Sequence, residues 1–266
     1  LRSMDLGLTD KVALVIGSSR GLGKAVAMGF AQEGAKVAIC ARGETALETT
    51  RQEITRTTGR QVLAVTADVT RPEDVDRLVQ ATLDRFGRID VLVTNAGGPP
   101  AGTFLDFNPE VWQQAVNLNL MSAVRLCYAV VPTMRRQGGG RIIAITSISV
   151  KQPLDNLILS NSVRMAVVGL TKSLSNELAA DNILVNSVCP SWTLTERVEE
   201  LLRHRAGRNG TSYEEELGQL ECDIPLRRLG QPEELANVVV FLASERASYL
   251  TGVSIQVDGG FYKAVY

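Results

Sequence analysis

KVALVIGSSRGLG, Lys11 to Gly23, decides the fold. Lys11–Ile16 reads as a strand, and from Val12 onward it is apolar at every position instead of alternating. A strand of that kind is buried on both faces, which places it inside a parallel sheet covered by helices. Gly17, Gly21 and Gly23 follow where the chain turns sharply from strand into helix. Their missing side chains let the backbone and the helix N-terminus approach a pyrophosphate. An empty turn has the same spelling, so the rest of the chain must decide.

Outward from this stretch, short β-branched runs alternate with longer helical ones. Lys36–Ala41, Val62–Thr66, Asp90–Thr94, Arg141–Thr146, Ile183–Cys189 and Val253–Val257 read as further strands. The architecture expected is a doubly wound α/β sandwich. No repeat or linker interrupts it, so residues 4–266 read as one domain, with Leu1–Ser3 ahead of Met4 set aside as an appended stretch. The long departure is ERVEELLRHRAGRNGTSYEEELGQLECD from Glu196. It predicts a pair of short helices, a flap at about 195–223 that either closes over the strand ends or is a solvated excursion without substrate contact.

Composition removes several classes. Hydrophobic residues make up 45% and charged residues 21% of 266, the balance of an ordinary globular protein. With 28 basic against 29 acidic side chains the net charge is −1, too little to hold a nucleic acid. Runs such as Val12–Ile16 and Ile142–Ile145 fall far short of the roughly 20 apolar residues of a membrane span. Cys40, Cys127, Cys189 and Cys222 form no Cys-x-x-Cys pair and no histidine cluster, so they read as reduced, mostly buried thiols, with no metal site. No secretory signal precedes the first strand, and a cytoplasmic location is expected.

Thr94–Gly97 spells TNAG after the fourth strand, Asp68-Val69 follows the third, Ser147 ends the fifth, and LTGVSIQVDGG runs from Leu250. Together with the glycine loop, these motifs make the chain resemble the short-chain dehydrogenase/reductase family over essentially its whole length. The resemblance implies a Rossmann-like doubly wound parallel sheet of about seven strands with helices on both faces. It implies a nucleotide across the strand ends, Asp68 and Val69 near adenine, Asn95, Ala96 and Gly97 beside the cofactor, and Thr195 at the carboxamide. It also implies a homotetramer, through the helices near Pro109–Gln137 and Leu157–Ala180 and the stretch Phe261–Tyr266.

The choice of nicotinamide cofactor follows from charge. An NAD site carries a carboxylate at the end of the second strand for the ribose 2′-hydroxyl, and Ala38–Gly43 has none. Arg42 stands there, and Arg20 in the glycine loop can approach the same place. Two guanidiniums suit a 2′-phosphate. NADP(H) is therefore preferred, with NAD(H) possible; the alternative is a pair of arginines pointing outward.

The resemblance implies an Asn, Ser, Tyr, Lys constellation, and only half of it is present. Asn119 in VWQQAVNLNL matches the asparagine that supports a water relay, and Ser147 in AITSIS matches the serine that orients the carbonyl. Thirteen residues after Ser147, where tyrosine should stand, is Ser160, and Arg164 occupies the lysine position. The flanking NSVRMAVVGLTKSLSNELAADNILVNSV is otherwise in register, so no shift restores the pair. A serine hydroxyl is far too weak an acid, and it leaves the phenol's volume open. Arg164, one turn on, can still hydrogen-bond ribose, but a guanidinium keeps its proton to about pH 12 and donates none near neutrality. The usual Pro-Gly after the sixth strand is Pro190-Ser191, followed by Trp192, whose indole is expected to narrow the pocket. His204, the only histidine, is a proton source if the flap closes, and otherwise a surface residue among Arg203, Arg205 and Arg208.

The function expected is an NADP(H)-dependent oxidoreductase of a small alcohol or carbonyl compound, with a non-standard proton donor. The alternative is a cofactor-binding pseudo-enzyme serving as a sensor or as partner to an active paralogue.

Overall fold

The computed structural model describes residues 5–265. Leu1–Ser3, Met4 at the start of the expected domain and Tyr266 at the end of the expected interface stretch lie outside them. The strands β1 (Val12–Ile16), β2 (Lys36–Ala41), β3 (Val62–Thr66), β4 (Val91–Asn95), β5 (Gly140–Ile145), β6 (Ile183–Pro190) and β7 (Ser254–Val257) form one sheet. All pairings are parallel, in the order β3-β2-β1-β4-β5-β6-β7. Each strand read from the sequence is present within one residue at either end. Chain order reverses between β1 and β4, the kind of crevice where doubly wound sheets bind ligands.

The unbroken apolar runs serve two cores at once. Ala13 and Val15 of β1 face one layer and Leu14 and Ile16 the other, and all are buried. On the first face lie α1 (Gly21–Gln32) and α9 (Pro232–Ala243), contributing Val26, Phe30, Leu235 and Val239. A Cβ on Gly29 would come within 3.2 Å of Val240, so that glycine sets how closely these two helices pack. The second face is covered by α3 (Pro72–Phe86) and α5 (Ser122–Gln137), through Val75, Leu78, Leu126, Val130 and Met134. Helix α2 (Glu44–Thr58) adds Leu47 and Ile54 to the first core.

Helix α4 (Pro109–Val116) runs through one wide π turn, Asn117–Met121, into α5, so Pro109–Gln137 is effectively one 29-residue helix. By length and hydropathy it could cross a membrane, which the count of short apolar runs overlooked. Its Leu126, Cys127, Val130 and Met134 are buried under the sheet, so its apolar character is spent on packing. The expected Leu157–Ala180 helix is α6 (Ile158–Glu177).

The departure after β6 is a helix pair, α7 (Glu196–Asn209) and α8 (Tyr213–Asp223). It is not merely solvated. Val198, Leu202, Leu220, Ile224 and Leu229 form a small core of their own, with Trp192, Tyr213 and Phe261 at its edge. Glu216 is buried there, accepting from Thr211 Oγ1 at 2.6 Å and Asn209 Nδ2 at 2.8 Å and paired with Arg205 at 2.7 Å. These hydrogen bonds hold its carboxyl below the usual range, so it stays charged and braces the turn between the helices.

Candidate active site

The C-terminal ends of the strands open into a cleft of about 720 Å³. Its walls bring together Gly17, Arg20, Gly21, Arg42, Asp68, Val69, Asn95, Ala96, Gly97, Ser147, Ser160, Arg164 and Thr195. Two predicted site residues, Gly23 and Asn119, stand behind this wall.

Gly17 and Gly21 take left-handed φ values of +63° and +54°. A Cβ on Gly23 would collide with the carbonyl oxygen of Gly17, so the third glycine is required by the loop's own tightness. Asn95 donates from Nδ2 to that same Gly17 oxygen at 3.3 Å and ties the end of β4 to the glycine loop. Ser18, which sequence reasoning passed over, is fully buried. It bonds Val15 O at 2.8 Å and accepts from Cys40 N at 3.0 Å, fixing the loop to β2.

At one end of the cleft Arg20 and Arg42 are exposed, and their guanidiniums bond to none of the described residues. No carboxylate from Ala38–Gly43 competes with them. At Gly43 and Gly97 a Cβ would meet no atom within 4 Å, so both leave open space along the wall. Glycine backbone at a strand-to-helix turn, open space beside it and two uncommitted guanidiniums fit a phosphorylated dinucleotide. Asp68 accepts from the Thr70 hydroxyl at 2.7 Å. Thr195 caps α7 by accepting from Val198 N at 3.4 Å.

At the other end, Ser147 begins a short turn and its Oγ accepts from Ser149 N at 3.1 Å. That bond fills an acceptor lone pair and leaves the hydroxyl proton to donate into the cleft. Ser160 is buried, with its Oγ 3.3 Å from Ser149 Oγ. Arg164 is 8% exposed and donates to three main-chain carbonyls: Thr146 at 3.3 Å, Ala96 at 3.2 Å and Gly97 at 3.4 Å. Three of its five N–H groups latch the wall, and the ribose contact expected of this side chain would use the remaining two, Nε–H and one N–H of Nη1, which have no partner among the described residues. Burial, aided by the charge of Arg197, lowers its pKa to about 10, below the sequence expectation yet still cationic at neutral pH.

Asn119 lies in the π turn, a helix defect frequent at functional sites. Its Nδ2 donates to Gly97 O at 3.0 Å, so it shares an acceptor with Arg164. Its Oδ1 has no donor among the described residues, and both residues line a cavity of about 10 Å³, the size of one water.

Arg197 carried no mark in the sequence. From the first turn of α7 it crosses to donate to Pro99 O at 3.1 Å, closing the cleft between flap and loop. Trp192 lines the cleft and stacks edge-on against Phe261, ring centroids 6.4 Å apart. His204 is exposed and lies outside the cleft walls, which removes it as a proton source in this arrangement. Cys40, Cys127 and Cys189 are buried, and burial pushes the first two thiols up to about 12; Cys222 is exposed.

Comparison with known proteins agrees with this geometry. Residues 16–262 match the enoyl-(acyl carrier protein) reductase family profile. The chain is 38% identical over 254 residues to dehydrogenase/reductase SDR family member 4 of Oryctolagus cuniculus, covering 95% of this chain and 94% of that protein. It is 39% identical to a 3-oxoacyl-[acyl-carrier-protein] reductase of Synechocystis, covering 95% and 97%. The solved L-sorbose reductase of Gluconobacter frateurii, complexed with NADPH and L-sorbose, superposes with a TM-score of 0.94 at 39% identity, covering 98% of this chain and 100% of that one.

Arg164→Ala should lower stability toward urea by about 1–3 kcal/mol, the range for leaving buried partners without their charged donor. Unchanged unfolding midpoints would show that the three carbonyl bonds do not hold the wall.

Proposed function

The chain belongs to the short-chain dehydrogenase/reductase family, and on that premise we propose that it is an NADP(H)-dependent oxidoreductase of a small alcohol or carbonyl compound, working without a tyrosine acid. One observation carries the reading: the Arg20–Arg42 pair and the Ser147 hydroxyl are walls of one continuous cleft across the β1/β4 crevice. The relatives are named as dehydrogenases and reductases, so nothing in them supports the binding-only alternative.

In this proposal Gly17, Gly21 and the α1 N-terminus approach the diphosphate. Arg20 and Arg42 hold the 2′-phosphate. Asp68 and Val69 flank adenine, Asn95 to Gly97 line the path of the cofactor, and Thr195 meets the carboxamide. When bound, NADPH supplies the hydride. Ser147 donates a hydrogen bond to the substrate oxygen and keeps its proton, and Arg164 keeps a fixed positive charge beneath the ribose, with Nε–H and one N–H of Nη1 as its free donors. Asn119 holds Gly97 in place for both. The one proton the reduction requires reaches the substrate oxygen from water in the volume above Ser160, because neither the Ser147 nor the Ser160 hydroxyl is an acid of suitable strength. Without a positioned acid the step loses about 10²–10⁴ in rate.

A homotetramer is what the family resemblance implies for the assembly. Tyr128 on α5 and Met165 on α6 are 79% and 50% exposed, and Val265 near the C-terminus is 89% exposed. These exposed apolar groups lie on the surfaces expected to meet in that assembly, and a monomeric mass by light scattering at micromolar concentration would refute it.

Calorimetric titration should find NADP(H) at least about tenfold tighter than NAD(H), since two charge-assisted contacts are worth about 1–3 kcal/mol together. Arg42→Ala should narrow that gap, leaving only the Arg20 contact. Equal affinities in the unaltered protein would sink the assignment.

Slow NADPH oxidation with small carbonyl compounds is expected of the protein as it stands. Ser160→Tyr combined with Arg164→Lys should raise the reduction of a neutral ketone by a factor in the range of about 10²–10⁴. A double variant that folds, binds NADPH and gains nothing would show that the missing acid is not what limits turnover.

A further inference from the structure

The two substitutions that remove the acid also create something. Ser160 and Arg164 sit one turn apart on α6, and both line the cleft. Replacing a phenol by a hydroxymethyl opens the volume in front of Arg164, and replacing an ammonium by a guanidinium puts behind it a fixed cation that keeps two unbonded N–H groups after latching the wall.

The charge around this volume is lopsided. Arg164 is buried with no ion pair to any described residue, and the charge it feels is another cation, Arg197. Arg197 reaches the same cleft from α7 and spends one N–H on Pro99 O. It also forms a long ion pair of 3.7 Å with Glu200, in which both side chains are about half exposed and therefore screened by solvent. Glu196 also lines the cleft, is exposed, and lies on the Gly21 side. Two guanidiniums thus line one cleft together with the hydroxyls of Ser147 and Ser160. A buried cation without a countercharge is costly, and an anion arriving with the ligand offsets that cost.

We propose that the substrate is an oxo acid or hydroxy acid whose carboxylate binds between Arg164 and Arg197, in the volume left open by Ser160. This deepens the oxidoreductase reading and rests on it for the carbonyl chemistry. The carboxylate would anchor the substrate while Ser147 addresses the neighbouring carbonyl. Arg197 would select for charge from the flap side, a specificity role separate from the chemical step.

The test uses acetoacetate and methyl acetoacetate, which share a ketone and differ in charge. With NADPH, the acid should show a kcat/KM at least about tenfold above the ester, a difference of about 1.4 kcal/mol. Arg197→Gln should collapse that ratio toward one through KM, and Arg197→Lys should restore part of it. Calorimetry of acetoacetate against the NADP⁺-saturated protein reads the same site without turnover, and Arg197→Gln should weaken that binding at least tenfold by the same arithmetic. Equal use of acid and ester, or acetoacetate binding unaffected by Arg197→Gln, overturns the proposal and leaves the oxidoreductase reading standing. Charge-dependent binding of acetoacetate with no NADPH oxidation on either compound would instead uphold the anion site and defeat the oxidoreductase reading.

Discussion

One charge without a countercharge organises the floor of the cleft. Taking a guanidinium out of water costs several kcal/mol, and Arg164 recovers that only through carbonyl dipoles aimed at it. Those carbonyls belong to Ala96 and Gly97, just past β4, and Thr146, just past β5, so a residue of α6 joins the exits of two neighbouring strands. Asn119 fastens Gly97 from the far side, and the wide π turn contains the residue that does so. A lysine could offer only a compact point charge there. The arginine is therefore as much a fastening as a functional group, and both properties come from the same planar fork.

The fold was legible because burial on both faces leaves a mark in the chain. β1 and β6 are apolar or small nearly throughout, and no pattern other than a covered parallel sheet explains such runs. The glycine loop was legible for the same kind of reason: only residues without a Cβ fit where Gly17 O and Gly23 nearly touch. What the sequence hid were contacts set by reach. Arg164 was placed correctly on its helix, yet nothing local says that its donors end on three carbonyls from distant segments. Arg197 lay in a charged run that reads as a wet face, and only the fold shows it crossing to Pro99. His204, seven residues further along the same helix, illustrates the converse, since chemical promise without orientation left it on the outer surface.

The cleft has two ends along one groove. The glycine loop, Asn95 and two uncommitted guanidiniums stand at one, and at the other a small hydroxyl, Ser160, lies one helical turn from a buried cation, Arg164. The β1/β4 crevice positions both, so groups of quite different chemistry meet on one wall.

The edge-on stack of Trp192 on Phe261 has a consequence for how the molecule comes apart. Trp192 leaves β6 and reaches the small core of α7 and α8, while Phe261 arrives from beyond β7, so the helix pair and the final stretch of chain share one apolar cluster. That cluster is separate from the two large cores under the sheet. The helix pair and the C-terminal stretch therefore form a cooperative unit that can open as a piece while the sheet stays folded, and its amides would exchange with solvent together.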